Sequence, residues 1–177
     1  MEKSAIYLQF EKLEDSKREL LKELAPLEDT ILHYKPSKEK WSIIQIIFHL
    51  NSSENGSVKY ISKKSLGGTA VPKASSISSI KSYLLTKALR NLTWKKPAIL
   101  PDPPEQLVTS DMLKQWDETR IGMKQLLDKL PEEMLDRQIY RHPFGGRMNM
   151  KQALTFMQEH FNHHLKQVEA LKQNSRK

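Results

Sequence analysis

The sequence predicts an all-α protein: a bundle of four long amphipathic helices, with an extra short helix and a proline-rich loop between the second and the third. Three observations carry this. Apolar residues recur at three- and four-residue steps in four long segments. No run alternates with period two for long enough to make a strand. The helix-breaking prolines fall between the periodic segments, not inside them.

The first segment places Ile6, Phe10, Leu13, Leu20 and Leu24 on one face, with Glu and Lys between them, and ends near Pro26. A linker with Pro36 and Ser37 follows. Ser42 and Gln45 then form a capping-box pattern, in which each side chain satisfies an orphan backbone N–H of the first turn. Trp41 before the cap and Ile46 after it are placed as a hydrophobic staple. Ile43, Ile46, Ile47, Leu50, Val58 and Ile61 continue the apolar face of a helix over 42–65, which Gly67-Gly68 stops. Gly56 inside it costs about 1 kcal/mol of helix propensity.

Residues 67–108 differ in character. Ser75 to Asn91 holds a shorter helical pattern, with Ile80, Leu84, Leu85 and Leu89 apolar. Lys96 to Glu105 contains four prolines and cannot be helix interior. A long connection of this kind is a lid, a binding loop or a dimer element, or else a solvent-facing spacer. The third long segment, 109–130, buries Leu113, Trp116, Met123, Leu127 and Leu130 and stops at Pro131. His142 to Arg147 turns the chain. Asn149, with Gln152 three residues on, caps a last helix over 150–172, whose apolar residues are Ala153, Met157, Phe161, Val168 and Leu171. No internal repeat is present, and 177 residues predict one domain over 1–177.

Composition excludes several chemistries. There is no cysteine, hence no disulfide, thiolate metal site or cysteine nucleophile. A thiol reaction would need its thiol on a cosubstrate. The formal charge of +8 raises nucleic acid or an anionic surface as a partner. The basic residues are interleaved with Glu and Asp, however. The densest groups, Lys63-Lys64, Lys95-Lys96 and Arg176-Lys177, are pairs, which suits a solvated helical surface or one that steers an anionic substrate. Apolar runs fall far short of the ~20 residues of a membrane span. Met1 to Phe10 mixes polar and apolar residues, so no leader is read and the cytoplasm is the expected location.

Histidines offer the clearest chemistry. His160 and His164 are four apart, slightly more than one helical turn, so both rings project to one face. At that spacing two imidazoles chelate one ion without distorting the backbone. Imidazole suits Zn, Ni, Cu and Fe, whereas Mg and Ca want oxygen. The pair shares a stripe with Met157, Phe161 and Val168, so it points into the bundle. Two readings follow: metal ligands, or a pair hydrogen-bonded to core groups or water. His49 lies at the edge of the apolar stripe of the second long helix, where a lone histidine is more often a satisfied core residue. As a third ligand it would leave an open position for water or substrate, the mark of a catalytic site. The zinc-protease pattern H-E-x-x-H is absent, as are a serine nucleophile elbow and a phosphate-cradling glycine loop.

Two strings together resemble a known family. Trp41 to Leu50 (WSIIQIIFHL) is similar to the W-S-x-x-(E/Q)-x-x-x-H-L signature of the DinB/YfiT-like superfamily. His142 to Gln167 is similar to its closing motif, H-P-x-x-G-R followed by a helix with H-x-x-H-H-x-x-Q. The resemblance implies a bundle with up-down-down-up connections and one divalent metal, Ni or Zn, held by His49, His160 and His164. It also implies common dimers and activity as a thiol S-transferase or isomerase using a low-molecular-weight thiol such as bacillithiol, mycothiol or glutathione. Other members are described as metal-dependent hydrolases. The expected function is therefore metal-dependent thiol transfer to a small electrophile. Metal-dependent hydrolysis and a non-catalytic, metal-stapled module are the alternatives. No catalytic residue is assigned. His163 either orients a neighbour or packs; Gln167, four residues on, is placed to hydrogen-bond it. His142 and Arg147 read equally as substrate contacts or as turn structure.

Overall fold

The computed structural model describes residues 2–91 and 100–174. Lys95-Lys96, Pro97 and Arg176-Lys177 lie outside them. The four long periodic segments are helices: α1 (Lys3–Leu24), α3 (Ile43–Ser65), α5 (Thr109–Lys129) and α6 (Met150–Asn174). The predicted short helix is α4 (Ser76–Asn91), and from Leu100 to Val108 the chain is irregular, as its prolines require.

Local signals set the helix ends. Ser42 and Gln45 make the reciprocal capping box, with Ser42 N–H donating to Gln45 Oε1 at 3.2 Å and Gln45 N–H to Ser42 Oγ at 3.3 Å. Asn149 and Gln152 do the same for α6, at 3.0 Å each way. Ser75 and Ser78 reproduce the device with two hydroxyls at the start of α4. After α3 the chain turns through Gly68, whose φ of +50° is a conformation that favours glycine.

Two small elements depart from the expectation. The linker after α1 contains α2 (Asp29–Leu32), a single turn too short to show a period. The turn before α6 is a hairpin, β1 (Tyr140–His142) antiparallel to β2 (Gly146–Met148), with Tyr140 opposite Met148 and His142 opposite Gly146. Three residues per strand are too few for alternation to register.

Cross-helix partners fix the directions of the bundle. Along α1 and α6 the pairs advance together: Gln9 with Thr155, Ser16 with Gln158, Glu23 with Lys172. Along α1 and α5 they run in opposition: Lys3 with Asp128, Glu14 with Arg120, Lys17 with Asp117. Hence α1 and α6 are parallel and α5 runs against them. His49 of α3 meets His160 of α6, while Ser57, two turns later in α3, meets Tyr140, which precedes α6. α3 is thus antiparallel to α6 too, giving the up-down-down-up arrangement of α1, α3, α5 and α6. One cluster of buried apolar residues runs through all four, with Trp116, Phe161, Ile47 and Leu13 among its largest members.

The insertion is tied to the bundle at both described ends. Arg137 donates to the carbonyls of Thr69 and Val71, and Gln138 N–H donates to Pro72 O at 2.8 Å. At the far end Gln45 Nε2 donates to Pro104 O at 3.0 Å. Within α4, Leu85 and Leu89 are buried, but Ile80 and Leu84 are 59% and 56% exposed. The apolar spacing found the helix there without identifying its inner face.

Candidate metal centre

The capping box that starts α3 at Ser42 places His49 two turns in, on the side facing α6. There it meets His160 and His164. His49 Nε2 lies 3.1 Å from His160 Nε2, which is 3.1 Å from His164 Nε2. All three ligand atoms fall within 4.8 Å of one another, and the group is buried. The structure therefore brings together the three histidines that the sequence singled out. His160 stacks on Phe156 with ring centroids 5.5 Å apart, and His49 lies against Trp41 at 5.1 Å.

The chemistry of these donors fits a cation. Gln167 Oε1 can only accept, so His164 Nδ1, 3.0 Å away, carries the proton and its Nε2 is a bare lone pair. His160 Nε2 holds at most one proton and cannot serve two neighbouring nitrogens at once. Protonation is disfavoured here: burial first, then the neighbouring His164 and His49, hold His160 well below its ordinary range. Burial, followed by His49, pushes His164 down to about 3, against the opposing Gln167 hydrogen bond. The two 3.1 Å nitrogen–nitrogen separations are close to what two imidazoles sharing one ion at a Zn–N distance of about 2.0–2.1 Å require.

The cluster opens on a cavity of about 1150 Å³. Leu85 and Leu89 of α4, together with Leu100 and Pro101, line it, so part of the 67–108 insertion forms its wall. Arg141 and His142 of the hairpin line it too, whereas Arg147, opposite Arg141 in the ladder, is not among the lining residues.

His142 holds the turn, one of the two roles the sequence left open, and its ring also lines the cavity. Its Nδ1 accepts the backbone N–H groups of Phe144 and Gly145, at 3.2 and 3.0 Å, which holds the turn. That leaves the proton on Nε2, and burial lowers its pKa to about 4, so the ring is a neutral donor on the cavity wall. Gln167 does more than the spacing indicated. Besides donating to His163 Nε2 at 3.3 Å, it accepts from His164. Phe156, which packs between His142 and His160, was not singled out; its position four residues before His160 on one helix face was the available signal.

The fold and site define a helical bundle with a buried three-imidazole cluster opening on a cavity. The chain belongs to the DinB superfamily, whose family profile matches residues 12–168. The uncharacterized protein YuaE of Bacillus subtilis (strain 168) is 27% identical over 160 residues, covering 90% of this chain and 94% of that protein. No solved structure matches significantly. Among the described residues, no helix is long and apolar enough to cross a membrane.

Proposed function

We propose that the protein is a metal-dependent thiol S-transferase acting on small electrophiles, with His49, His160 and His164 binding one divalent ion, Ni or Zn. The observation that carries this reading is a three-nitrogen donor set that opens onto a large cavity, with no fourth histidine or carboxylate joining it among the described residues. A divalent ion in such a site supplies Lewis acidity that lowers the pKa of a thiol or water beside it. The chain's own residues prepare that place. Burial keeps His160 and His164 neutral, as ligands must be. Apolar Leu85, Leu89 and Phe156 on the cavity wall limit water around a nucleophile. His142 presents an N–H donor toward an electrophile's polar atom. The thiol comes from a cosubstrate, because the chain has no cysteine.

The test is anaerobic assay of Zn- and Ni-loaded protein with a chromogenic aryl halide and several low-molecular-weight thiols. Aryl ester and amide substrates without thiol are run alongside, with His160→Ala as control. Thiol-dependent turnover that disappears in the variant is the expected result. Thiol-independent ester cleavage would replace this reading with hydrolysis, and inactivity throughout would remove it.

A further inference from the structure

A chain of hydrogen bonds leaves His164 on the side away from His160 and ends on another helix. His164 Nδ1 bonds Gln167 Oε1 at 3.0 Å, Gln167 Nε2 bonds His163 Nε2 at 3.3 Å, and His163 Nδ1 bonds the Leu89 carbonyl at 2.9 Å. The direction of every link follows from the last. A carbonyl only accepts, so His163 Nδ1 carries the proton and His163 Nε2 is a lone pair. Gln167 must then turn its NH₂ to His163 and its oxygen to His164, which forces the His164 proton onto Nδ1. One backbone carbonyl of α4 thus selects the tautomer of a histidine two side chains away, and that tautomer aims a lone pair at the cluster.

Leu89 is also part of the cavity wall, as is Leu85 one turn earlier. A shift of α4 away from α6 would therefore break the His163–Leu89 link and release His163, then Gln167, then His164. We infer that His163 and Gln167 are positioning residues coupling metal affinity at His164 to the seating of α4 on the bundle. The inference rests on the proposal that the cluster binds metal, and it adds a device by which the wall of the cavity and the metal sense each other. Coupling of this kind is reciprocal: whatever factor α4 seating contributes to metal affinity, metal returns to α4.

Two measurements on the full chain test it, with Zn(II) as the probe. Hydrogen exchange of the amides around Leu85 to Leu89 slows by about 5-fold or more on zinc saturation of the wild type. In His163→Phe this slowing is lost at α4 while that in α3 and α6 persists. Zinc affinity, measured by competition with a chromophoric chelator, falls by about 10- to 100-fold in Gln167→Leu. Gln167→Glu combined with His163→Phe separates the two halves of the relay. The carboxylate still accepts from His164 and restores affinity, but no imidazole is left to reach the Leu89 carbonyl, so the α4 response stays absent. This variant and His163→Phe keep the test decisive if Gln167→Leu does not fold. Zinc binding with unchanged exchange in wild-type α4, or a folded Gln167→Leu with wild-type affinity, would overturn the coupling alone. Failure of the wild type to bind zinc or nickel would overturn the metal reading along with it.

Discussion

Arg120 forks onto Glu54 across the interior, with Nε 2.7 Å from one carboxylate oxygen and Nη2 2.8 Å from the other. Their side chains are 2% and 3% exposed. Trp116 Nε1 donates to the same carboxylate at 2.8 Å, and Arg120 Nη1 reaches on to Glu14 at 2.7 Å. Every charged group in this cluster has a partner, which is the condition under which a buried ion pair is tolerated.

Removing one member strands the rest. Glu54→Ala leaves a buried guanidinium and an indole N–H short of their acceptor, and about 3–5 kcal/mol of stability is lost. Urea denaturation measures it. Glu54→Leu combined with Arg120→Leu recovers much of that loss, because no unpaired charge is left behind. A double substitution as damaging as the sum of the single ones would show that the two residues act independently.

Acid should destabilise the metal-free protein in a defined window. Burial, first among the causes, holds His142 at about 4, His164 at about 3 and His160 well below its ordinary range. In the unfolded chain each titrates near 6.5. Below that pH the unfolded state binds more protons than the folded one, so stability rises with pH. It is complete above about 6.5 and falls on acidification by up to about 1.4 kcal/mol per pH unit for each group. The His142 share of that fall ends at about 4, the value burial gives it. Urea midpoints in the presence of chelator, from pH 8 downward, trace the curve. His142→Asn, which keeps an acceptor for the turn, reduces the slope by about one proton. A flat profile from pH 7 to 5 would mean that these rings take up protons as readily in the folded state as in the unfolded one.

The hairpin turn has no room for a methyl group at Gly145. A Cβ there would lie 2.5 Å from Met148 Cε and 2.7 Å from Leu85 Cδ2. Gly145→Ala therefore forces two side-chain ends aside and costs about 1–3 kcal/mol, read as a lower melting temperature. Leu85→Ala in the same chain removes one of the two clashes, so the second substitution is less damaging than it is alone. Strict additivity of the two would contradict this packing.

Much of this architecture is visible in the sequence because helices repeat. Four long segments announce themselves through Ile, Leu and Phe at helical spacing, and Ser42-Gln45 and Asn149-Gln152 mark two starts by side-chain chemistry. His49, His160 and His164 were found from ring spacing and from the paired motifs around them. What escaped is what does not repeat. The single turn of α2 and the three-residue strands are shorter than any period that would reveal them. Ile80 and Leu84 share helical spacing with the buried Leu85 and Leu89, and only packing tells the two faces apart. Glu54 and Arg120 are 66 residues apart and look like ordinary surface charges in the string. The partner that fixes His163 is a main-chain oxygen, which any residue at position 89 would supply.

Gln45 carries two duties on one amide. Its oxygen starts the helix that bears His49, and its nitrogen holds Pro104, close beyond the Leu100-Pro101 stretch of the cavity wall. A substitution that removes this amide altogether therefore changes two traits in a single mutational step. Helix initiation and the anchorage of the loop are inherited together, and a protein engineer who wishes to loosen the entrance without weakening the scaffold must work elsewhere in the loop.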